Sequence, residues 1–477
     1  MEERRDLDRD VPAEQLDMFG APVDDSAAAS TPPAKHDQAP ASASPHPRAP
    51  LREAGETKAH AAATASATAS LWHDDAVSEP AIHTPSLFPA QSAATAGTSP
   101  TGTTPADSAA SADPAEPTAP AKKRRAKGVT AVEPSEATLA LAAQLPPNVH
   151  LGTSTWSFPG WHGIVYGDEY SNSKLSREGL TAYGAHPLLR TVSIDRSFYT
   201  SLTVSEYLRY AQQVPDHFRF IVKAPALITD ATVRAERGEP VSPNPCFLNA
   251  QMATDEFVRP CLDGLGAKAG ALVFQFSPLP DTLLARPAEF IAQLAAFFAA
   301  LPPLPEVASE GAAAEGTSGT ASSGTCYAIE IRDACLLTPR FIRMLKAAGV
   351  RYCVGLHARM PDPLRQAAAL ALLDETPAGP LIVRWSLHSG FKYEQAKAKY
   401  EPFDKLVDED PATRTALAEL AARYAIAGQP VLIAVNNKAE GSAPLSCEQL
   451  AREIAAACAR LGDENEKGAA AVTAACA

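Results

Sequence analysis

A charged pair lies within an apolar segment, where Glu330 and Arg332 alternate with Ile329 and Ile331. In a β-strand, residues two apart lie on the same face, so the isoleucines share one face and the charged pair shares the other. A charged pair that points into a protein interior is costly unless the two groups neutralise each other or serve a reaction. Glu330 is therefore a candidate general acid or base, and the alternative is a structural ion pair with Arg332.

Other polar side chains also follow short apolar segments, at the places where strands would end. With Glu330, the candidates for acid–base catalysis are Asp195, His357 and His388. The candidates for substrate binding are Trp156, Arg196, Tyr199, Lys223, Gln275, Arg332, Arg384, Asn436 and Asn437. Cations outnumber carboxylates in this set, which suits a phosphate, a carboxylate or a nucleic-acid backbone. Each histidine is equally well explained as a polar residue at a strand end, and each aromatic ring as part of the core.

Local metal-binding patterns do not occur after residue 138, where the sequence has no HxH, HExxH or CxxC. We predict no metal site. The alternative is a site assembled from ligands on different strands, such as His357, His388, Asp195 and Glu330, which would leave no pattern in the local sequence. The residues indicate no particular cofactor. Asp195 and Glu330 also allow a glycosidase interpretation, which needs two carboxyl groups about 5–9.5 Å apart.

Eight short segments rich in β-branched and aromatic residues precede these polar ends. They are residues 149–154, 191–195, 218–223, 271–276, 327–332, 352–357, 381–385 and 431–435. Continuous apolar runs of this length are typical of parallel strands buried on both faces. Helical patterns between them predict an α/β fold, a single TIM-like (β/α)₈ barrel whose strand ends converge on one rim. An open doubly wound sheet is the competing architecture, but no GxGxxG loop follows the first strand.

Capping residues mark where helices should begin between these strands. Thr203 with Glu206, and Ser446 with Gln449, have the spacing of a capping box. Three further candidate caps each precede a proline, which is favoured at the first helical position. They are Thr338, Asp362 and Asp410.

Composition divides the chain of 477 residues into three parts. Residues 1–138 are mostly Ala, Pro, Ser, Thr and Asp, so they cannot bury enough apolar surface to offset their conformational entropy and are predicted to be a disordered arm. Residues 139–462 are predicted to form the barrel domain, with a flexible insertion at 305–325, and residues 463–477 to form a tail.

The overall charge and the cysteines favour a cytoplasmic protein. The net charge of −13 gives no indication of a surface that binds nucleic acid generally. The basic block at residues 122–127 is interpreted as a solvent-exposed segment, and the alternative is a contact with an acidic partner or with nucleic acid. The start of the chain lacks the apolar region of a secretory signal, and no apolar run is long enough to span a membrane. Eight scattered cysteines without a CxxC pair indicate reduced thiols.

A short apolar string stands out inside the arm. Gln15, Leu16, Asp17, Met18 and Phe19 form a Gln-Leu-Asp-Met-Phe sequence that looks like the pentapeptide by which bacterial proteins dock on the DNA sliding clamp. Leu16, Met18 and Phe19 would fill an apolar pocket, while Gln15 supplies oriented hydrogen bonds. The alternative is a chance apolar pentamer in an Ala-rich arm.

Several motifs occur together near the predicted strand ends. They are Gly-Thr-Ser-Thr-Trp-Ser from Gly152 with Trp161 and Tyr166, Ser197-Phe198-Tyr199, Phe-Ile-Val-Lys-Ala from Phe220, Phe274-Gln275-Phe276, Glu330-Ile331-Arg332, Arg384, Asn436-Asn437 and Gly441-Ser442-Ala443. Together they resemble the YecE-like family, also called domain of unknown function seventy-two, over about residues 149–460. The resemblance implies a TIM-like barrel and carries no activity, substrate or cofactor. Members commonly have Glu and Asn where this chain has Ser193 and Asp195, so any task of that Glu is absent here or falls to Asp195.

Two functional hypotheses follow from these residues. In the first, the protein is an enzyme, a hydrolase or a lyase, that acts on an anionic substrate, phosphorylated or nucleotide-like, at the carboxyl-terminal rim of the barrel. In the second, it is a non-catalytic interaction protein of DNA maintenance that is tethered to the sliding clamp through residues 15–19. Fold alone does not choose between them.

Overall fold

The structure is a computed structural model that describes residues 128–234, 240–305, 324–388 and 390–476. The apolar string at residues 15–19, the basic block and nearly all of the predicted arm lie outside the described residues, as does most of the predicted insertion. The boundaries of the arm and of the tail therefore stay predictions, although a helix in the structure continues past residue 462.

Parallel strands form a closed barrel, which confirms the predicted fold class. The strands are β1 Val149–Thr153, β2 Leu189–Ile194, β3 Arg219–Lys223, β4 Thr232–Arg234, β5 Pro240–Pro243, β6 Ala269–Gln275, β7 Cys326–Glu330, β8 Arg351–Leu356, β9 Leu381–Trp385 and β10 Val431–Val435. In the described part of the chain, the eight barrel strands follow the spatial order β1-β10-β9-β8-β7-β6-β3-β2. A short antiparallel hairpin, β4–β5, which the sequence did not indicate, interrupts the alternation after β3.

Helices follow most barrel strands and cover the outside of the barrel. They are α1 Glu136–Gln144, α2 Asn172–Gly184, α3 Arg196–Tyr199, α4 Val204–Gln212, α5 Ala226–Thr229, α6 Ala250–Ala253, α7 Arg259–Leu265, α8 Asp281–Leu284, α9 Pro287–Ala299, α10 Pro339–Ala348, α11 Pro363–Leu373, α12 Tyr393–Tyr400, α13 Pro411–Ile426 and α14 Ala443–Cys476. Short 3₁₀ turns occur at Pro159–Trp161, Gly266–Lys268, Ala334–Leu336 and Asn437–Ala439, with one π turn at Thr254–Val258. Within the described ranges, every helix is too short or too polar to cross a bilayer.

Most of the predicted helix caps form. Thr203 accepts from the Glu206 amide while the Glu206 carboxylate accepts from the Thr203 amide, which completes a capping box at α4. The side chains before the three prolines also cap their helices, α10, α11 and α13, as the sequence predicts.

The predicted capping box at Ser446 is wrong. Helix α14 begins three residues earlier, at Ala443, and the Ser446 amide donates to the Ser442 carbonyl at 2.9 Å as part of the helix. The first amide is satisfied instead by Asn437, whose Oδ1 accepts from the Ala443 amide at 2.9 Å. A cap from an earlier loop leaves no signature in the local spacing, which explains the error.

The alternation of side chains along each strand separates two apolar layers. Ile329 packs in the large core between barrel and helices, while Ala328 packs in a smaller core inside the barrel. Glu330 belongs to the same strand face as Ala328, so it points into the barrel, as the two-residue period predicts. The barrel interior is thus apolar in its middle and polar at the carboxyl-terminal rim.

Closure of the barrel brings β1 very near to β2. A Cβ atom added at Gly152 would lie 1.8 Å from the carbonyl oxygen of Thr191, so this place in β1 has room only for glycine. The pairing between the two strands also shifts register between Leu151 and Gly152. This close approach fixes where the end of β1 lies relative to the end of β2, and both ends contribute to the site described below.

Candidate functional site

A network of buried charges closes the carboxyl-terminal end of the barrel interior. An Arg332 nitrogen lies 2.8 Å from Glu330 Oε1, and an Arg384 nitrogen lies 2.7 Å from Glu330 Oε2. The other terminal nitrogen of Arg384 lies 2.7 Å from Asp195 Oδ2. Gln275 Oε1 accepts from both arginines, at 3.2 Å and 2.9 Å. We call these five residues the rim network.

Electrostatics keep Glu330 ionised. Burial by itself would raise the pKa of Glu330, but the charges of Arg332 and Arg384, the hydrogen bond from Arg384 and the charge of Lys223 outweigh it and hold that pKa below its ordinary value. Arg384 is correspondingly held charged, because the two carboxylates raise its pKa against the effect of burial. The Glu330 side chain is fully buried, so this carboxylate is a fixed negative charge inside the barrel.

The backbone of β8 leaves space for this carboxylate. A Cβ atom added at Gly355 would lie 3.0 Å from Glu330 Oε1, so glycine permits the carboxylate to lie against β8. Gln275 faces the same space, and its Nε2 has no hydrogen-bond partner among the described residues. The rim network is therefore tightly packed around Glu330 and leaves the Gln275 amide nitrogen as a buried donor without a partner among the described residues.

A pocket of about 180 Å³ opens beside the rim network, between the ends of β1 and β2. We call it the Asp195 pocket. Residues after β1 and on α2 form one wall: Ser154, Thr155, Trp156, Ser157, Asn172 and Ser176. Residues at the end of β2 and on α3 and α4 form the other: Ser193, Ile194, Asp195, Arg196, Tyr199 and Tyr210. Asp195 thus belongs both to the pocket wall and to the rim network.

Both carboxylate oxygens of Asp195 are held from behind. Oδ2 accepts from Arg384, and Oδ1 accepts from the Ser193 hydroxyl at 2.6 Å. Each carboxylate oxygen can accept two hydrogen bonds, so both retain capacity toward the pocket. Asp195 directly follows β2 and precedes α3, which places it at the rim without extending the strand.

Arg196 lies at the mouth of the Asp195 pocket. Its guanidinium forms an ion pair of 3.3 Å with Glu206, and 54% of its side chain is exposed. It also donates to the Tyr210 hydroxyl at 3.4 Å. A half-exposed guanidinium at an opening can turn toward an incoming anion at little cost, because exposed ion pairs contribute little to stability.

Lys223 lies at the end of β3 and is buried. Its ammonium is 3.5 Å from the centre of the Phe198 ring, a cation–π contact. Its charge is near enough to Glu330 to lower the pKa of that carboxylate. Lys223 therefore adds a positive charge to the rim without lining the Asp195 pocket.

The two predicted histidines lie away from the Asp195 pocket. His357, at the end of β8, is buried, and its pKa is well below the ordinary value because of burial and the nearby charges of Arg332 and Arg359. His388 follows β9; its amide donates to the Lys438 carbonyl at 2.9 Å, and its ring packs edge-on against Phe391. Neither histidine is among the residues that line the pocket.

The two predicted asparagines support the pocket from outside it. Asn436 Nδ2 donates to the Ser154 hydroxyl at 2.8 Å, and its Oδ1 accepts from the Lys438 amide at 3.0 Å. Asn437 Oδ1 accepts from the Trp161 indole at 3.2 Å, besides capping α14. Both side chains thus hold the loop after β10 against the loop after β1.

Sequence reasoning missed most of the neutral pocket wall. Ser154, Thr155 and Ser157 belong to the Gly-Thr-Ser-Thr-Trp-Ser motif at the end of β1, in which only Trp156 was predicted to bind substrate. Asn172, Ser176 and Tyr210 lie on helices, where no strand-end pattern points to them. Across the described ranges, no three His, Cys, Asp or Glu side chains converge as a metal site would require.

A family model described as "Protein of unknown function DUF72" matches residues 150–470. No curated protein matches the chain. Among solved structures, a DUF72 family protein from Enterococcus faecalis V583 shares 16% identity over 64% of this chain and 95% of its own, with a TM-score of 0.40. Another, from Thermotoga maritima MSB8, shares 17% identity over 64% of this chain and 98% of its own, also with a TM-score of 0.40. The family match spans most of the chain and the whole barrel, and the chain therefore belongs to the DUF72 family.

Proposed function

We propose that this barrel is an enzyme that acts on a small anionic substrate in the Asp195 pocket. The observation that carries the proposal is the position of Asp195, whose carboxylate faces the pocket while Arg384 holds it from behind at 2.7 Å. A carboxylate that is oriented by a buried guanidinium at the carboxyl-terminal rim of a barrel has the placement of a catalytic side chain.

The charge balance at the rim supports an anionic substrate. Among the described residues there, Lys223, Arg332 and Arg384 supply three buried positive charges against two negative charges from Asp195 and Glu330. Charges in a low-dielectric interior act over longer distances than exposed ones. The excess positive charge attracts an anion to the pocket, and Arg196 at the mouth is placed to bind it.

In this proposal Asp195 takes or gives the proton and Glu330 does not. Glu330 is fully buried, and both of its oxygens lie against guanidinium groups, so it acts as a positioning residue that holds Arg384. Arg384 and Ser193 in turn fix the orientation of the Asp195 carboxylate. Proton transfer by a single oriented carboxylate serves hydrolysis or a lyase reaction, the two classes in the enzyme hypothesis.

The test is a binding and turnover assay with the full-length protein. Phosphorylated and carboxylated metabolites are screened by thermal shift, affinities are measured by calorimetry, and bound compounds are followed by NMR for conversion. We expect Arg196→Gln to weaken binding at least tenfold, because it removes a charged hydrogen bond. Asp195→Asn should retain binding and lose conversion.

The matched control is Asp255→Asn, the same change at an exposed carboxylate that pairs with Arg259 at 3.1 Å and accepts from Gln251, both on the surface. It should leave binding and conversion unchanged. The proposal fails if no anion binds, or if Asp195→Asn converts the ligand as fast as the wild type. Melting temperatures of all variants identify any that have lost their fold.

The sliding-clamp hypothesis stays a separate prediction, because residues 15–19 lie outside the described residues. Its only support is the Gln-Leu-Asp-Met-Phe string itself. A pull-down with purified bacterial clamp tests it, with the double variant Leu16→Ala and Phe19→Ala as the comparison. Equal recovery of the variant and the wild type would remove this hypothesis without affecting the barrel.

A further inference from the structure

The hydrogen-bonding groups of the Asp195 pocket are of mixed type. A phosphate or carboxylate needs only donors around it, whereas each hydroxyl of a polyol both donates and accepts. The inner wall of the pocket offers donors and acceptors side by side. The existing hydrogen bonds of Ser154, Ser193, Trp156 and Asp195 determine which of these groups can donate to a ligand and which can accept from it.

Ser154 is available as a donor. The Asn436 amide donates to its oxygen at 2.8 Å, which occupies a lone pair and leaves the Ser154 hydroxyl proton for another acceptor. Ser193 is the reverse case. It gives its proton to Asp195 at 2.6 Å, so its oxygen keeps only the capacity to accept.

Trp156 contributes an unused donor and a ring. Its indole N–H is buried and has no hydrogen-bond partner among the described residues, and the side chain is only 7% exposed. A buried N–H without a partner is destabilising, and a ligand oxygen would satisfy it. Trp156 and Tyr210 both line the pocket and their rings pack edge-on at 5.1 Å, so aromatic carbon forms part of its wall. Aromatic faces next to hydrogen-bonding groups suit the C–H face and hydroxyls of a sugar ring.

The size of the pocket limits the ligand. Its volume of about 180 Å³ is well below the roughly 300–1,000 Å³ of sites for drug-sized ligands, yet many times the roughly 10–15 Å³ needed by one water. A single sugar ring is of this size, whereas a sugar with a base attached would extend beyond the pocket. The cation Arg196 lies at the mouth, so a charged end of the ligand would point outward.

We propose that the substrate is a small sugar phosphate, with its hydroxyls against Ser154, Ser193, Asp195 and the Trp156 N–H, and its phosphate at Arg196. This inference rests on the proposed function and narrows it to a substrate class. It favours a sugar phosphate over a nucleotide-like ligand.

The test compares four probes by calorimetry on the full-length protein: ribose 5-phosphate, n-pentyl phosphate, AMP and inorganic phosphate. Pentyl phosphate has the same charge and chain length as ribose 5-phosphate but lacks the ring hydroxyls. We expect ribose 5-phosphate to bind at least tenfold more tightly than pentyl phosphate, inorganic phosphate or AMP.

Two variants locate the hydroxyl contacts. Trp156→Phe keeps an aromatic ring and removes the N–H, and Ser154→Ala removes one donor. Each variant should weaken the binding of ribose 5-phosphate about fivefold and leave the affinity for pentyl phosphate unchanged. Ser173→Ala, an exposed serine on α2 that does not line the pocket, is the matched control and should change neither affinity.

The outcomes separate this inference from the function on which it rests. Equal affinities for ribose 5-phosphate and pentyl phosphate overturn the sugar class and leave the anion pocket intact. Tighter binding of AMP than of ribose 5-phosphate overturns the size limit and with it the sugar phosphate. Failure of every phosphorylated or carboxylated compound overturns both proposals.

Discussion

Asp195 and Arg384 lie 189 positions apart in the chain, and their side chains meet at 2.7 Å. Asp195 lines the pocket, and Arg384 belongs to β9 inside the barrel. The pair therefore connects a solvent-accessible carboxylate to the buried charges around Glu330. Each prediction on the rim network follows from this connection.

Arg384→Lys should slow conversion of a bound substrate about a hundredfold while changing KM much less. A guanidinium reaches Asp195 and Glu330 at once through two nitrogens, whereas an ammonium is a single point charge and cannot bridge them in this way. A misplaced carboxylate lowers the rate of conversion more than it lowers the affinity for the substrate. Steady-state kinetics on the substrate found by the screen provides the measurement.

The control for this variant is Arg351→Lys. Arg351 is also a paired arginine, partly buried and 2.6 Å from Asp374, but it lies at the amino-terminal end of β8. The change should lower stability and leave kcat and KM unchanged. A similar loss of kcat in both variants would mean that general destabilisation, and not the orientation of Asp195, explains the effect.

Glu330→Gln should reduce the free energy of unfolding by about 3 kcal/mol, because it leaves Arg332 and Arg384 buried with one negative charge fewer. Urea denaturation measures this. Glu289→Gln is the comparison: Glu289 pairs with Arg286 at 3.0 Å on the surface, where more than half of each side chain is exposed. That variant should lie within about 0.5 kcal/mol of the wild type. Equal effects would show that Glu330 is not a structural charge.

Gly152→Ala should strongly destabilise the protein, since its Cβ would lie 1.8 Å from a backbone oxygen of β2 that closure of the barrel holds in place. Gly462→Ala makes the same change inside α14, where a Cβ would meet no atom within 4 Å. Alanine favours helix more than glycine does, so the free energy of unfolding of this variant should rise by up to about 1 kcal/mol. Thermal unfolding of both variants tests the contrast, and a Gly152→Ala protein as stable as the wild type would contradict the close approach.

Stability should decline as the pH falls from about 6.5 toward 4. Burial and the charges of Arg219 and Arg190 lower the pKa of His150 to about 4, and burial lowers the pKa of His186 to about 4. The unfolded chain binds these protons near pH 6.5 while the folded protein does not, so protonation favours unfolding throughout this window. His150 alone accounts for about 3 kcal/mol at most.

The measurement is the free energy of unfolding in urea at several pH values. His150→Asn removes one of the titrating groups and should flatten the slope between pH 6.5 and 4. Glu330 acts in a separate window, because its lowered pKa stabilises the fold above the ordinary carboxyl range and this stability is lost only as the pH falls below about 4.3. An unchanged slope in His150→Asn would contradict the assignment.

Local periodicity was enough to predict the barrel. Each apolar segment indicated a strand, and Glu330 faces the barrel interior because its isoleucine neighbours face the helices, as the two-residue period requires. The caps at Thr203, Thr338, Asp362 and Asp410 were also readable, because a capping side chain bonds within its own first turn. The hairpin β4–β5 could not be predicted from the sequence, since Pro240–Pro243 lacks the apolar alternation of a strand.

The sequence by itself determined which side chains reach the rim of the barrel, because strand period and strand count are local properties of the chain. Only the tertiary structure decided that Glu330 is enclosed by Arg332 and Arg384, that the two histidines lie apart from the pocket, and that Asp195 faces it. The reason is geometric. The stagger between strands sets which side chains meet across the barrel, and contacts as distant in sequence as that between Asp195 and Arg384 leave no trace in local spacing.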